Sequence, residues 1–164
     1  MRALALVDSL TGTATRRAFD ATAADALAEA RRQGLPLSLL ALDLDRFKNI
    51  NDRYGHAAGD RVLAATSRAW TALLRDRDLL ARIGGEEFVV VCPDTSMGKA
   101  RGIAARLLEA TEALRFEDID PALRVGVSIG LAQAGTDDTV AALLARADAA
   151  LYRAKQGGRG RVEG

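Results

Sequence analysis

Two adjacent glycines followed by two glutamates constrain the fold of this chain more than any other segment. Residues 82–88 read RIGGEEF and precede three valines. Paired glycines between short apolar runs predict a hairpin with a two-residue turn of the primed type, because that turn requires positive φ at both central positions. Glu86 and Glu87 would then be held on a rigid element, where like charges repel unless a cation joins them. The segment therefore predicts a hairpin that carries a metal site.

The composition is that of one globular domain. The chain has 164 residues, of which 49% are hydrophobic and 27% are charged, enough to bury a core and unlike a disordered protein. The net charge is only +1, so we expect no nucleic-acid partner, and any polyphosphate would have to be bound by locally placed cations. The single cysteine, Cys92, excludes an internal disulfide and is expected in the core.

Hydrophobic periodicity predicts helices and strands in mixed order. Predicted helices cover residues 16–33, 47–54, 60–74, 97–114 and 139–155, and predicted strands cover residues 37–44, 79–83, 87–92 and 124–132, with a terminal strand near Val162. A hairpin within such a series favours an α/β (α+β) fold with a mixed, largely antiparallel sheet flanked by helices. We expect a single domain over residues 1–164, with residues 1–7 as the stub of a helix from an upstream domain.

A second polar segment follows the first predicted strand, where residues 43–60 read DLDRFKNINDRYGHAAGD. An aspartate at a strand end commonly caps the next helix, which accounts for Asp45 but leaves Asp43 unexplained. If this strand lies beside the hairpin, Asp43 comes close to Glu86. Carboxylate oxygens of this kind, together with substrate phosphates, are the ligands that Mg²⁺ prefers.

Five motifs in this order resemble a known family. They are DSLTG at residues 8–12 with two arginines at 16–17, the stretch at 43–60, GGEEF at 84–88, VSIG at 127–130, and the alanine-rich helix with its Gly-Arg loop at 147–159. Over nearly the whole chain they resemble the GGDEF domain of diguanylate cyclases, in its GGEEF variant. The resemblance implies the palm-like fold of class III nucleotide cyclases and many polymerases. It also implies the condensation of two GTP into cyclic di-GMP with release of two pyrophosphates.

The resemblance further implies which residues bind metal. Asp43, Glu86 and the backbone carbonyl of Leu44 match the ligands of two Mg²⁺ ions per half-site, for which Mn²⁺ could substitute. Glu86 also matches the proton acceptor for the attacking 3′-hydroxyl, whose pKa the two metals would lower. Glu87 is a third acid that we include among the catalytic candidates, although strand alternation leaves open which face of the sheet its side chain occupies.

Asn51 and Asp60 match the positions that read the base. A carboxylate can accept hydrogen bonds from N1–H and the N2 amine of guanine. Adenine lacks both donors, so it would leave a buried charge unpaired. An alternative role for Asp60 is to cap a helix beginning at residue 61.

Three cations match the family's phosphate contacts: Lys48, which we count among the catalytic residues, Lys155 and Arg159. The backbone around Phe47 would add N–H donors at a helix N-terminus. The single histidine, His56, lies in a Gly-His turn, where a structural role is expected.

Arg75 and Asp78 fall in the register of the family's product-inhibition site, an Arg-x-x-Asp set that ends five residues before the paired glycines. Arginine offers a planar fork for phosphate and for the Hoogsteen edge of guanine, and aspartate can accept from the Watson–Crick edge. A charged loop at the end of a helix is the alternative. The resemblance thus implies cyclic di-GMP as inhibitor as well as product.

The reaction implies a homodimer, because the product has two identical halves and each domain holds one GTP. We expect a concentration-dependent cyclase in the bacterial cytoplasm, without membrane contact by this domain, although the parent protein could be membrane-tethered. Two alternatives stay open at this point. One is a non-catalytic receptor for GTP or cyclic di-GMP, and the other is a related nucleotidyltransferase with a different product.

Three positions depart from the family pattern. Thr13 stands where leucine is usual, Thr15 where asparagine is usual, and Gly160 where asparagine often follows the final Gly-Arg. None is a predicted metal ligand or base reader. The first two could loosen the docking of the opening helix, and the third could alter the loop that carries Arg159.

Overall fold

Helices and strands are mixed along residues 5–164, the part of the chain that the computed structural model describes. The helices in this part are α1 (Arg16–Gln33), α2 (Phe47–Tyr54), α3 (His56–Leu73), α4 (Met97–Glu112) and α5 (Val140–Gln156). The strands are β1 (Leu37–Asp45), β2 (Leu79–Arg82), β3 (Glu87–Pro93), β4 (Gly126–Gln133) and β5 (Val162–Glu163). The predicted elements are therefore all present, with shifted boundaries.

The strands form one sheet in the order β2-β3-β1-β4-β5. β1 lies at the centre and pairs antiparallel with both β3 and β4, whereas β5 pairs parallel to β4. A mixed, largely antiparallel sheet is what the sequence predicted. Because β1 lies between two neighbours, its last residues are within reach of the β2–β3 hairpin on one side and of β4 on the other.

Two hydrophobic cores cover the two faces of the sheet, because side chains alternate along each strand. Leu40 and Leu42 of β1 pack beneath α2, α3 and α4, where the rings of Trp70 and Phe88 meet edge to face with centroids 5.2 Å apart. Leu39 faces the other way, beneath α1 and α5. Both faces of β1 are thus buried in a hydrophobic core, which explains its nearly uninterrupted apolar sequence.

Cys92 is fully buried in the first core, as predicted. Burial raises the pKa of its thiol to about 12, with a smaller contribution from Asp78. The thiol therefore stays protonated at neutral pH and behaves as a small core residue.

Side-chain caps set the N-termini of α1 and α4, whereas the N-terminus of α3 differs from the prediction. Thr15 and Ser96 cap α1 and α4 through their hydroxyl oxygens. Threonine at position 15 thus keeps the capping function that asparagine would provide. α3, however, begins at His56 directly after Gly55 (φ 90°), so Asp60 lies inside the helix and the helix-capping alternative for it was wrong.

The hairpin turn also differs from the prediction. Neither Gly84 nor Gly85 has a positive φ, so the turn is not a two-residue turn of the primed type. Strand pairing stops at Arg82, and the backbone N–H of Ile83 closes a longer loop by donating to the carbonyl of Glu87 at 2.9 Å. A Cβ at position 84 would lie 2.8 Å from Oε2 of Glu87, the flexible end of an exposed side chain that can move aside.

The predicted helix stub at residues 1–7 is described only in part. Residues 1–4 lie outside the described residues, and residues 5–7 form no helical turn, with Val7 bridging to Ala14. In the described part of the chain, no helix combines the length and the apolar content that a membrane crossing requires.

The contact between α5 and β4 predicts a severe effect of Gly130→Ala. A Cβ on Gly130 would lie 2.1 Å from the backbone N of Leu151 and 2.2 Å from the carbonyl O of Ala147, which a packed helix cannot relieve by side-chain motion. We expect the free energy of unfolding, measured with urea, to fall by about 3 kcal/mol.

The matched control for that substitution is Gly102→Ala. Gly102 lies within α4, and a Cβ there would meet nothing within 4 Å. This variant should gain about 0.5–1 kcal/mol from helix propensity. Equal stabilities of the two variants would contradict the proposed close packing at Gly130.

Candidate functional site

The carboxyl end of β1 meets the hairpin loop, as predicted from the sequence. Asp43 lies directly opposite Glu87 in β3, and the backbone N–H of Leu44 donates to the carbonyl of Glu86 at 3.3 Å. Because residues paired in antiparallel register project from the same face, Glu87 is on the same side of the sheet as Asp43. Four candidate residues are therefore adjacent.

Lys155 of α5 is the cation at this point. Its Nζ lies 3.0 Å from Oδ1 of Asp43 and 3.7 Å from Oδ1 of Asp45. Burial raises the pKa of Asp43; Lys155 opposes this shift, while Glu86 and Asp45 push the pKa further upward. One ammonium thus faces several carboxylates, and the site favours additional positive charge.

The donors at this site fit a hard divalent cation that also binds phosphate. Within residues 5–164 there is no cluster of three or more His, Cys, Asp or Glu side chains suited to a metal ion. Asp43, Glu86 and the Leu44 carbonyl would supply oxygen ligands alone. Mg²⁺ commonly takes one or two carboxylates and completes its shell with water and substrate phosphates, so the residues fit this ion together with a phosphorylated ligand.

Asp45 holds the loop after α5 and does not cap α2. Its carboxylate accepts hydrogen bonds from the Ser128 hydroxyl at 2.6 Å and from the backbone N–H of Gly160 at 2.9 Å. Gly160 has φ 57°, a region that asparagine also tolerates, so glycine in place of asparagine preserves the loop. The loop exposes Arg159, itself at φ 64°.

A cavity of about 290 Å³ opens between α2, α3 and the hairpin loop. Its lining contains Phe47, Lys48, Asn51, His56, Asp60, Leu63, Arg82, Gly85 and Glu86. The structure therefore brings the predicted base readers together with one predicted metal ligand. Lys48 lies at the rim, with its side chain 90% exposed and 3.7 Å from Asp52.

Gly59 determines where the Asn51 side chain can lie. A Cβ on Gly59 would be 1.8 Å from Oδ1 of Asn51 and 3.2 Å from Cζ of Phe47. The Asn51 amide thus occupies the space that any larger residue at position 59 would fill. The sequence pattern contained this glycine, but only the packing of α3 against α2 shows its function.

A second cavity, of about 240 Å³, lies on the α5 side of the hairpin and contains Asp43, Glu87, Asp148 and Lys155. Burial raises the pKa of Asp148, and Glu87 adds to the shift. Asp43 thus lines this cavity, whereas Glu86 lines the cavity that contains Asn51 and Asp60. The sequence analysis did not include Asp148, whose only signal is its place in the last motif.

Arg82 ties the hairpin loop to the N-terminal motif. Its guanidinium donates to the carbonyl of Gly85 at 2.9 and 3.0 Å and reaches Oδ2 of Asp8 at 3.3 Å. Asp8 in turn accepts from the backbone N–H and the hydroxyl of Thr11. No local sequence pattern predicts this role of Arg82, because Asp8 is 74 residues away along the chain.

Arg75 and Asp78 are brought together, but they contact each other. The Arg75 guanidinium donates to Asp78 Oδ1 at 2.6 Å and to the Thr95 hydroxyl at 2.7 Å, and its backbone N–H donates to Asp78 Oδ2 at 2.9 Å. The Asp78 side chain is 0% exposed, whereas that of Arg75 is 35% exposed. As the structure stands, a ligand can reach Arg75 but not Asp78.

Comparison with known proteins identifies relatives of the whole described fold. The sequence model of the family described as "Diguanylate cyclase, GGDEF domain" matches residues 5–161. The chain is 41% identical over 162 residues to the diguanylate cyclase DgcP of Pseudomonas aeruginosa, covering 99% of this chain and 24% of DgcP. It is 42% identical over 164 residues to the response regulator PleD of Caulobacter vibrioides, covering 98% of this chain and 36% of PleD.

A solved structure matches closely as well. The GGDEF domain of DgcB from Caulobacter crescentus, in complex with c-di-GMP, superposes with a TM-score of 0.93 at 32% identity, covering 99% of this chain and 94% of that one. The chain thus spans one domain of the solved structure but only about a quarter to a third of the two curated relatives.

The Asp8–Arg82 pair predicts a pH-dependent stability. Burial alone would raise the pKa of Asp8, but hydrogen bonds from Thr11 and the charge of Arg82 lower it below its ordinary value. A lowered folded-state pKa means that ionised Asp8 stabilises the fold above the ordinary aspartate pKa, and that this contribution is lost as pH falls through the folded-state pKa. We expect Asp8→Asn to cost about 1 kcal/mol in urea unfolding at neutral pH.

The difference between wild type and Asp8→Asn should shrink toward zero as the pH falls below about 4. Asp20→Asn is the control, because its partner Arg16 lies 3.5 Å away on an exposed helix face. This variant should lose less than about 0.5 kcal/mol at any pH. A pH-independent loss in Asp8→Asn would contradict the ion-pair interpretation.

Proposed function

The chain belongs to the GGDEF family of diguanylate cyclase domains, and we propose that it condenses two GTP into cyclic di-GMP and two pyrophosphates. The observation that carries the proposal is the contact between β1 and the hairpin loop. Asp43 pairs with Glu87, and the neighbouring Leu44 N–H donates to Glu86, which itself lines the cavity containing Asn51 and Asp60. A base reader and an oxygen-ligand set for phosphate-bound Mg²⁺ are thereby adjacent.

Asn51 and Asp60 would select guanine. Asp60 projects from the first turns of α3 into the cavity, where a carboxylate can accept from N1–H and the N2 amine. Asn51 reaches the same cavity from α2 because Gly59 leaves it room. An adenine base would leave Asp60 unpaired, so we expect GTP to be strongly preferred over ATP.

Asp43, the Leu44 carbonyl and Glu86 would hold two Mg²⁺ ions. When bound, the metal would lower the pKa of the attacking 3′-hydroxyl and stabilise the leaving pyrophosphate. Glu86, on the hairpin loop, would accept the hydroxyl proton, and Glu87 would keep the charge of the neighbouring cavity negative.

Positive side chains would hold the triphosphate from three directions. Lys155 already pairs with Asp43, so it needs only to exchange a carboxylate for a phosphate oxygen. Arg159 on its exposed loop and Lys48 at the cavity rim would add charge, and α2 begins at Phe47 with free backbone N–H groups.

Turnover would require two copies of the domain. Each holds one GTP, and each 3′-hydroxyl must attack the α-phosphate held by the other copy, which a two-fold dimer achieves by proximity. We propose the bacterial cytoplasm as the location of this reaction. The chain spans only about a quarter to a third of the two curated relatives, so the activity of any longer protein is not addressed by this domain alone.

The product of the reaction tests the proposal directly. Incubation of the pure chain with Mg²⁺ and GTP should give cyclic di-GMP by mass spectrometry, and ATP should give no cyclic dinucleotide. Glu86→Gln should lower the rate at least about 100-fold, because the proton acceptor and a metal ligand are lost together. Glu109→Gln on the exposed face of α4 is the matched control and should keep the wild-type rate.

The alternatives would give other outcomes. Tight GTP binding without any product would favour the receptor, and a linear or adenine-containing product would favour the related nucleotidyltransferase. Either result would contradict the proposed cyclase activity.

Gly59→Ala tests the base-reading role of Asn51. The added methyl displaces the Asn51 amide, so we expect GTP binding to weaken by about tenfold or more, measured by calorimetry. If the effect acts through Asn51, then adding Gly59→Ala to Asn51→Ala should cost little further affinity. Gly102→Ala controls for glycine replacement in a helix, and additive losses in the double variant would contradict the assigned mechanism.

We also propose that Arg75 and Asp78 form a product-inhibition site. The support is their register in the sequence and their contact at the start of β2, where a third of the Arg75 side chain is exposed. Cyclic di-GMP would contact Arg75 first, and Asp78 would become available only if the guanidinium moves off it. Binding should therefore be coupled to a local rearrangement.

The inhibitory site is tested best with Arg75→Lys. Arg75→Ala would leave the buried Asp78 carboxylate without its guanidinium and should destabilise the fold by about 3 kcal/mol, so loss of binding there would be ambiguous. Lysine keeps the charge but lacks the fork, and we expect calorimetry to show about tenfold weaker binding of cyclic di-GMP. Arg77→Ala serves as the control, and unchanged affinity in Arg75→Lys would rule out this site.

A further inference from the structure

α2 separates the base-reading cavity from a third, larger cavity. Residues 47, 48 and 51 line the base-reading cavity, whereas residues 46, 49, 50 and 53 line the third cavity, as the helical repeat requires. The third cavity has a volume of about 470 Å³ and is also lined by residues 122–124 and 158–160. We call it the arginine cavity, because its lining contains Arg46, Arg53, Arg124 and Arg159.

The four arginines give this cavity a positive charge that the rest of the chain does not share. The formal net charge of the whole protein is only +1. Within residues 5–164, no carboxylate oxygen lies within 4 Å of the guanidinium nitrogens of Arg46, Arg53, Arg124 or Arg159. Asp45 is the acid in the lining, and it already accepts hydrogen bonds from Ser128 and Gly160. Arg124 donates through Nη1 to the carbonyls of Pro121 and Leu123, and the Tyr54 hydroxyl and the charges of Arg53 and Arg124 together lower the pKa of nearby Asp120. The remaining guanidinium nitrogens are available to an anion.

The arginine cavity adjoins the phosphate end of the candidate site. Asp45 lines the cavity and lies 3.7 Å from Lys155, which contacts Asp43 at 3.0 Å. The loop at 158–160, held by the hydrogen bond from Gly160 to Asp45, lines the arginine cavity. An anion leaving Lys155 would enter the cavity without crossing the base pocket.

The side chains that line the arginine cavity favour an inorganic anion over a nucleotide. Arg53 covers one face of the Tyr54 ring, 5.4 Å from its centroid, and the Tyr54 hydroxyl donates to Asp120 at 2.6 Å. The aromatic surface that could stack on a base is therefore engaged. Several guanidinium forks around one space suit an anion with more than one phosphate.

We propose that the arginine cavity binds inorganic pyrophosphate. The further statement that it receives pyrophosphate as the leaving group rests on the proposed cyclase function. The cavity then provides an exit site, so pyrophosphate departs on the side of α2 opposite the base. Occupation of this site would leave Lys155 free for the next triphosphate.

The test is a calorimetric titration of the full chain with sodium pyrophosphate. The buffer is metal-free and contains a chelator, so that Mg²⁺-dependent binding at the candidate site does not contribute. We expect Arg53→Ala/Arg124→Ala to weaken binding at least about tenfold, since two charge-assisted contacts are lost. Arg17→Ala/Arg101→Ala removes the same charge from exposed positions on α1 and α4 and should change the affinity less than about twofold.

Two results would overturn the proposal. One is equal weakening of pyrophosphate binding in both double variants, which indicates nonspecific charge attraction. The other is wild-type pyrophosphate affinity in the Arg53→Ala/Arg124→Ala variant.

The second measurement uses GTP and Mg²⁺. The cavity variant should keep the wild-type KM for GTP while pyrophosphate inhibits its turnover less strongly. A chain that makes no cyclic di-GMP but shows the predicted titration would refute the proposed function and leave the pyrophosphate site standing.

Discussion

The crowding of carboxylates around one lysine at the end of β1 is the interaction on which the site depends. Asp43 and Asp45 both face Lys155, and Glu86 approaches from the hairpin loop. The sheet order produces this arrangement, because β1 is central and β3 brings the hairpin to its carboxyl end. Lys155 lies on α5, and this helix can pack against β4 because position 130 is glycine.

The same strand end organises the surroundings in three directions. Asp45 anchors the loop after α5, and Arg82 anchors the hairpin loop to the N-terminal motif. α2 follows at once and divides the space beyond β1 into the base cavity and the arginine cavity. A change in the sheet order would separate the end of β1, the hairpin loop and α2 from one another.

The fold and most of the site could be predicted from local patterns. The apolar run of β1, the capping residues of α1 and α4, and the acid at the end of a dry strand are all readable in sequence. What could not be predicted depends on contacts between distant residues: the partner of Arg82, the loop held by Asp45, and the burial of Asp78. The glycine pair predicted the wrong turn type, because neither glycine has a positive φ. The loop is closed instead by the hydrogen bond from Ile83 to Glu87 and by Arg82, which donates to the carbonyl of Gly85.

The proposed sharing of a cation by Asp43 and Glu86 is tested most directly by Mn²⁺ binding, measured by electron paramagnetic resonance in the presence of a non-hydrolysable GTP analogue. We expect Asp43→Asn and Glu86→Gln each to weaken Mn²⁺ binding more than about tenfold, whereas Asp148→Asn, in the neighbouring cavity, should change it less than about twofold. Wild-type Mn²⁺ affinity in either of the first two variants would contradict the account, because the nucleotide phosphates alone would then be holding the ion.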